Sequence, residues 1–414
     1  MNDGPSPADP NRVFAEFVAA ELSRAGHIGL LAGGCVRDRL LGKTPKDYDV
    51  ATDAPPAEVR KTFGRRRTLS VGESFGVIVV LPDLKRFPGT QQVEVATFRE
   101  ESGYADGRRP DAVRFSTPQA DAQRRDFTIN GLFEDPATGE VVDYVGGQAD
   151  LEAGVLRAIG DPAERMREDK LRLLRAVRFA ATLGFQLDPA TADAVRAMAA
   201  ELPVVSGERI GAEMRRVLAH PNRAVGVRLL GEVDLLVPVA PEVAALTAAG
   251  RDRTVAVLNE LGDEPVPFPL GLAALLIDVG AVRGTAARWR LSNDETQRTR
   301  DLLADVAALD EFAALPTHRK KRLLAREHAA DLIALVAAVR RADGRPTEDA
   351  DAAAAYLRSH GPEELAPAPL LTGADLIAAG KTPGPEFKAL LDRAYDAQLD
   401  GEVRTKEDAL TFVL

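Results

Sequence analysis

The chain has 414 residues, of which 45% are hydrophobic and 28% charged. That balance fits two to four cored domains at about 150 residues each and excludes wholesale disorder. A single cysteine, Cys35, excludes an intramolecular disulfide framework, and a formal charge of −10 excludes a global basic footprint, so any nucleic-acid site has to be local.

Residues 1–11 (MNDGPSPADPN) are polar and Pro-rich, read as a flexible N-terminus, and show no signal-peptide core. With no apolar run near the ~18 residues of a membrane span, the expected location is cytoplasmic, away from membranes. From about residue 28 to 98, the β-rich runs HIGLLAGG, KDYDVAT, TLSVG, GVIVVLP and QQVEVATF alternate with helical stretches at about 11–25, 35–42 and 55–63. One small mixed sheet is predicted. The stretch ESGYADGRRPDAVRFSTPQAD (101–121) reads as a loop. Beyond about residue 150, Ala, Leu, Arg and Glu dominate, and Gly160-Asp161-Pro162, Asp188-Pro189, His220-Pro221 and Gly361-Pro362 cut the chain into helix-length pieces. The predicted class is α+β, a sheet-bearing head followed by an all-helical remainder.

The segment LAGGCVRDRLLGKTPKDYDVAT (31–52) joins a strand to a helix through Gly33-Gly34, with Arg37 in the helix that follows. Glycines let backbone N–H groups approach a ligand, and an arginine adds a fork of donors suited to phosphate oxygens. Such a turn is also common as plain structure. Asp47-Tyr48-Asp49 heads the next strand, and its two acids, two residues apart, share a face. Hard oxygens so placed suit Mg²⁺, completed by substrate phosphates. Glu94 in VEVATF offers a third carboxylate from an adjacent strand, or an exposed strand glutamate. Cys35, inside the turn, reads as a small packing residue.

RRDFTING (124–131) sets Arg124-Arg125 beside an Asp and Asn130, a combination for triphosphate and ribose contacts or for a surface ion cluster. The segment DPAERMREDKLRLLRAVRFAATLGF (161–185) predicts one helix, with Leu171, Leu174, Val177 and Phe179 buried. Asp169, Arg172, Arg175 and Arg178 recur every third residue and form a drifting stripe. An acceptor-only acid beside a donor-only arginine complements a base edge bearing an amino group next to a ring-nitrogen acceptor. Cytosine and adenine carry that edge, whereas uracil and guanine reverse it. Ordinary helix-surface electrostatics is the competing reading. Basic clusters at Arg65–Arg67, Arg108-Arg109, Arg124-Arg125 and Arg165 to Arg178 are candidates for RNA backbone despite the acidic whole.

The ordered motifs GGCVRD, DYD, RRDFTING, DYVGGQADL, REDKLRLLRAVRF and SGERIGAEM, from about residue 28 to 220, closely resemble class II tRNA nucleotidyltransferases, the CCA-adding enzymes. These share a sequence family with bacterial poly(A) polymerases inside the polymerase β superfamily. The resemblance resumes in RLSNDE (290–295) and in LTGADLIAAGKTPGPEFKALLDRAYDAQLDGEV (371–403), which is similar to the tRNA-handling tail of the CCA-adding enzymes.

The resemblance implies a nucleotidyltransferase head at 12–150, a base-recognising neck at 151–220, a helical body at 221–310 and a tRNA-binding tail at 311–414. It implies template-independent addition of C, C and A to the tRNA 3′ end from CTP and ATP, with release of pyrophosphate. Asp47 and Asp49 would hold catalytic Mg²⁺, with Glu94 as a further candidate ligand. Gly33, Gly34, Arg37, Arg125 and Asn130 would contact the incoming nucleotide, Asp169 and Arg172 would read its base, and Arg175 and Arg178 would support it. No obligate protein partner is expected. Two departures stand out. LLIDVG, with Asp278, is the nearest approach to a His-Asp phosphohydrolase motif, so no such activity is expected. Gly131 stands where alanine is common, with no loss expected. A poly(A) polymerase, a CC-only or A-only specialist, and a non-catalytic RNA-binding protein remain the alternatives.

Overall fold

The computed structural model describes residues 9–72, 76–102 and 112–414. They fall into two compact units, one of Met1–Glu213 with Leu229–Val239 and one of Met214–Arg228 with Ala240–Leu414.

The first unit opens with α1 (Pro10–Arg24), capped by the Asp9 carboxylate on the Asn11 N–H. The helix therefore starts inside the segment expected to be flexible, while residues 1–8 lie outside the described ones. Phe14, Ala15, Val18, Ala19 and Leu22 form its buried stripe. It rides directly on β1 (Gly29–Ala32), because a side chain at Gly29 would place Cβ 2.5 Å from the Ala19 carbonyl. Next come α2 (Gly34–Leu40), β2 (Asp49–Thr52), α3 (Pro56–Phe63), β3 (Thr68–Gly72), β4 (Val77–Val80) and β5 (Val93–Thr97), each at a predicted place.

The sheet is larger than the sequence suggests. Its order is β3-β4-β5-β2-β1-β8-β9, where β8 is Leu132–Glu134 and β9 is Val141–Asp143. Only the β2–β5 pairing is parallel within it. Both added strands are three residues long, too short for their alternation to show. The expected loop at 101–121 holds regular structure on both sides of residues 103–111, which lie outside the described ones. Strands β6 (Arg99–Ser102) and β7 (Ala112–Phe115) pair as a hairpin, and α4 begins at Pro118. Ala32, Ala51, Phe98, Ala122 and Phe133 form the core beneath this region, with the two phenylalanine rings edge to face.

DYVGGQADL (143–151) becomes a turn and the helix α5 (Gly147–Ala153). The Asp143 carboxylate accepts the N–H groups of Val145, Gly146 and Gln148 and so ties the turn to the helix start. Gly147 is fixed by space, since a Cβ there would meet the Thr128 carbonyl oxygen at 2.3 Å. At Gly131 an alanine Cβ would lie 2.6 Å from Val145 Cγ2, so the packing is built around the glycine.

The predicted single helix at 161–185 is two helices, α6 (Pro162–Glu168) and α7 (Leu171–Leu183). Asp169 between them is extended, at φ −144° and ψ 108°. Its carboxylate accepts the Leu171 N–H at 3.0 Å, so the side chain caps α7 rather than continuing a helical face. The four-residue stripe is therefore three arginines on α7 plus an acid in the break. Leu171, Leu174, Val177 and Phe179 are buried as expected.

The second unit is helical among its described residues. Helices Ala248–Asn259, Phe268–Leu275, Asn293–Leu309 and Ala329–Ala342 pack on one another. RLSNDE supplies a capping box, Ser292 with Glu295. Glu295 also takes both ends of the Arg215 guanidinium, at 2.6 and 2.7 Å, which holds its carboxyl down to about 2. Residues 371–413 form their own apolar cluster, Leu371, Leu376, Ala394, Ala397, Val403, Ala409 and Val413.

Candidate active site

Asp49 begins β2 and stands opposite Glu94 in the parallel register with β5. Tyr48 is buried while Asp47 and Asp49 are exposed, which is the two-residue alternation that the sequence predicts. Asp49 reaches solvent, yet the protein crowded around its carboxyl strips hydration, and the charges of Asp47 and Glu94 add to that penalty. Arg125 opposes them, and the outcome is a carboxyl pushed up to about 7. Such mutually repelling hard oxygens fit a divalent cation. Among the described residues no three His, Cys, Asp or Glu side chains are arranged to hold a metal by themselves. Paired carboxylates suit an ion completed by water and phosphate.

The glycine turn adjoins these acids. Gly33 has φ 71° and donates its N–H to the Leu132 carbonyl at 2.8 Å. A side chain there would put Cβ 2.7 Å from Arg125 Nη1, so the glycine leaves room for that guanidinium. Gly34 is open apart from Arg37, whose Nη2 would lie 3.8 Å from an added Cβ. Arg125 donates to both the Asp121 carboxylate and the Asn130 carbonyl. Arg37 donates to Asn130 Oδ1 at 2.6 Å and to Asp38. Asn130 in turn donates to Asp126 Oδ1 at 3.0 Å, and Asp126 Oδ2 accepts Arg175 Nε at 2.8 Å. Burial alone would raise the Asp126 carboxyl, but Arg175, the Asn130 hydrogen bond and Arg172 outweigh it and hold it well below the usual carboxylate range. Phe179 gives the network a floor, with Arg37, Arg175 and Arg178 within 5.1, 5.1 and 3.7 Å of its ring centre.

Gly33, Arg37, Arg125, Asn130, Arg175 and Arg178 thus form one connected group beside Asp49. Asp169 and Arg172 are not paired with each other. Arg209 grips the Asp169 carboxylate at 3.2 and 2.7 Å, while Arg172 is held by Glu168 and by the carbonyls of Arg165 and Arg124. Asp169 still contributes charge at Arg175, and Arg172 at Asp126, which attaches both to the group.

Sequence reasoning gave no role to Asp121, Arg209 or Glu213, and read Asp126 only as part of a combination for triphosphate and ribose contacts or for a surface ion cluster. Asp126 sits inside RRDFTING, and Arg209 and Glu213 inside SGERIGAEM. Their partners, Arg175, Asp169 and Arg178, lie 49, 40 and 35 residues away, and no local spacing marks such pairs. Arg124 and Arg125 both serve the buried Asp121, so they form an internal ion cluster. Arg108-Arg109 lies outside the described residues. Cys35 is buried, bonds weakly to the Ala32 carbonyl and has its thiol pushed up to about 11 by burial, in keeping with packing.

The described poly(A) polymerase head domain matches residues 30–157, and tRNA nucleotidyltransferase domain 2 matches residues 271–414. A CCA-adding enzyme of Lactiplantibacillus plantarum is 35% identical over 408 residues, covering 96% of this chain and 95% of that one. One from Geobacillus kaustophilus is 33% identical over 400 residues, covering 95% and 94%. Among solved structures, the Bacillus stearothermophilus CCA-adding enzyme in complex with CTP is similar at a TM-score of 0.80 and 28% identity, covering 97% of this chain and 95% of that one. The Thermotoga maritima CCA-adding enzyme complexed with tRNA shares the fold, with a TM-score of 0.65, 20% identity and coverage of 97% and 94%.

Proposed function

The chain belongs to the CCA-adding enzyme family, and from that membership we propose that it adds C, C and A, without a nucleic-acid template, to the 3′ end of tRNA, using CTP and ATP and releasing pyrophosphate. The observation that carries this reading is the connection of the Asp47/Asp49 pair, through Arg125, Asn130 and Asp126, to the arginine-bearing face of α7. The ordered apolar cluster in 371–413, inside the match to a tRNA nucleotidyltransferase domain, supports a tRNA substrate over generic RNA ends.

Asp47 and Asp49 would hold Mg²⁺, with Glu94 in register to join them. Bound there, the ion supplies charge neutralisation for the entering 3′-hydroxyl and the leaving pyrophosphate. The remaining work falls to the chain itself. Arg37 and Arg125 keep uncommitted N–H groups after their internal bonds, and these face the chemistry of triphosphate oxygens. Gly33 and Gly34 let the backbone approach the same oxygens. Asp169, clamped by Arg209, keeps acceptor capacity for a base amino group, and Arg172 keeps Nε as a donor to a ring nitrogen. Arg175 and Arg178, locked by Asp126 and Glu213, support the reading pair.

Cytosine and adenine satisfy an acid–arginine pair, whereas uracil or guanine leaves groups unpaired at a cost of about 1–3 kcal/mol each. Asp169→Ala and Arg172→Ala are therefore expected to lose roughly 10- to 100-fold of discrimination against UTP and GTP. The measurement is single-nucleotide incorporation on tRNA transcripts with each of the four triphosphates. Variants that still incorporate only C and A would remove both residues from base reading.

A further inference from the structure

The register across the head sheet runs Asp49, Glu94, Val79, Leu69 over four neighbouring strands, and β3 is parallel to β2. Arg67, two residues before Leu69, therefore leaves the sheet at the same end as Asp47, two residues before Asp49. Three strand spacings separate the two positions, about 14 Å. The GRRR segment forms a short turn there, swung out by Gly64 at φ 80°. Arg65 and Arg66 are both exposed, and among the described residues neither makes an ion pair or a side-chain hydrogen bond. Arg67 is held differently, with its Nε on the Leu81 carbonyl and its backbone paired to Leu81. At that same end the β4–β5 connection carries the exposed Lys85, and Lys46 immediately precedes the catalytic acids. At this end Lys46, Arg65, Arg66 and Lys85 stand beside the acids Asp47, Asp49, Asp83 and Glu94, with the arginine pair at the far strand, near the three-spacing distance from the acids.

We propose that Arg65 and Arg66 form a landing for the phosphate backbone of the RNA primer, holding the strand whose 3′ end reaches Asp47 and Asp49. The inference rests on the nucleotidyltransferase reading above and adds to it a binding surface on the head, outside the nucleotide pocket. Two exposed guanidiniums without acid partners meet phosphates with no ion pair to break, in contrast to Arg124, which is paired to the buried Asp121. Contacts of this kind position the strand without reading sequence.

The test is a Kd for tRNA lacking CCA, measured by direct binding from 50 to 200 mM salt, for the full-length chain and for Arg65→Ala/Arg66→Ala. Steady-state constants for CTP are measured alongside. The double variant is expected to bind tRNA roughly tenfold more weakly, and the plot of log K against log salt should become shallower by about 1.4–1.8 for two lost phosphate contacts. The KM for CTP should be unchanged. Arg65→Lys/Arg66→Lys should restore most of the affinity, because a phosphate asks mainly for charge. An unchanged Kd and slope would overturn the inference, as would a loss appearing only in the KM for CTP. Because binding is read without catalysis, failure of the wild-type chain to add nucleotides would count against the proposed activity and leave this comparison intact.

Discussion

Asp49→Asn is expected to reduce nucleotide addition on the order of 10³-fold or more while leaving the fold as stable as before, or slightly more so. The loss follows from the proposed role of Asp49 as an anionic oxygen donor to the metal, since metal-assisted charge stabilisation is worth several kcal/mol. The stability expectation follows from the sign of its perturbation. The Asp49 carboxyl is pushed up to about 7, so in the folded chain its ionised form is the disfavoured one, crowded by protein and repelled by Asp47 and Glu94. A group raised in this way destabilises the fold as pH climbs from the unfolded carboxyl range, near 4, through 7, and an uncharged asparagine removes that burden. Activity and stability should thus move in opposite directions. Turnover on tRNA and the thermal midpoint, measured on the same preparation, check it. A variant that loses activity and stability together would mark Asp49 as structural.

Asp126→Ala is expected to cost about 1.5–3 kcal/mol of stability, because it removes the buried anion that the half-buried Arg175 guanidinium bonds. The same substitution frees Asn130 from one of its anchors and so loosens Arg37. Nucleotide KM should rise as well. A double-mutant cycle with Arg175→Ala should show strong coupling, the pair losing less than the sum of the single losses. The pH dependence has the opposite sign to that of Asp49. Asp126 is held well below its ordinary value, so its contribution is complete above the unfolded carboxyl range and is lost as pH falls below about 4. Urea unfolding at pH 7 and pH 3.5 would measure this, with the wild type losing stability across the interval and the variant losing less. A cost under 1 kcal/mol at pH 7 would mean that solvent already serves Arg175.

The head was legible from sequence where a local period carries the signal. Asp47-Tyr48-Asp49 shows acid-out, aromatic-in alternation directly in the string, and the strands around it are apolar runs bounded by turns. β8 and β9 were hidden because three residues, one of them Glu134 between Arg12 and Arg39, give no period to read. The break at Asp169 was hidden for another reason. Every residue from 162 to 183 tolerates a helix, and only the competition of the Asp169 side chain for the Leu171 N–H ends one helix and caps the next. The resemblance supplies the list of candidate site residues, and the fold brings Gly33, Arg37, Arg125, Asn130, Arg175 and Arg178 together beside Asp49. The arrangement was not legible, because Asp126, Arg209 and Glu213 act through partners distant in sequence, and only the fold supplies that distance.

Nucleotide addition is measured with purified protein, Mg²⁺ and three tRNA transcripts ending before CCA, after C and after CC. Each is offered single labelled nucleotides and then CTP with ATP. Stepwise addition of C, C and A that stops at the completed end is the predicted result. Long A-tails on any RNA, or a single A on the CC-ended transcript alone, would contradict it.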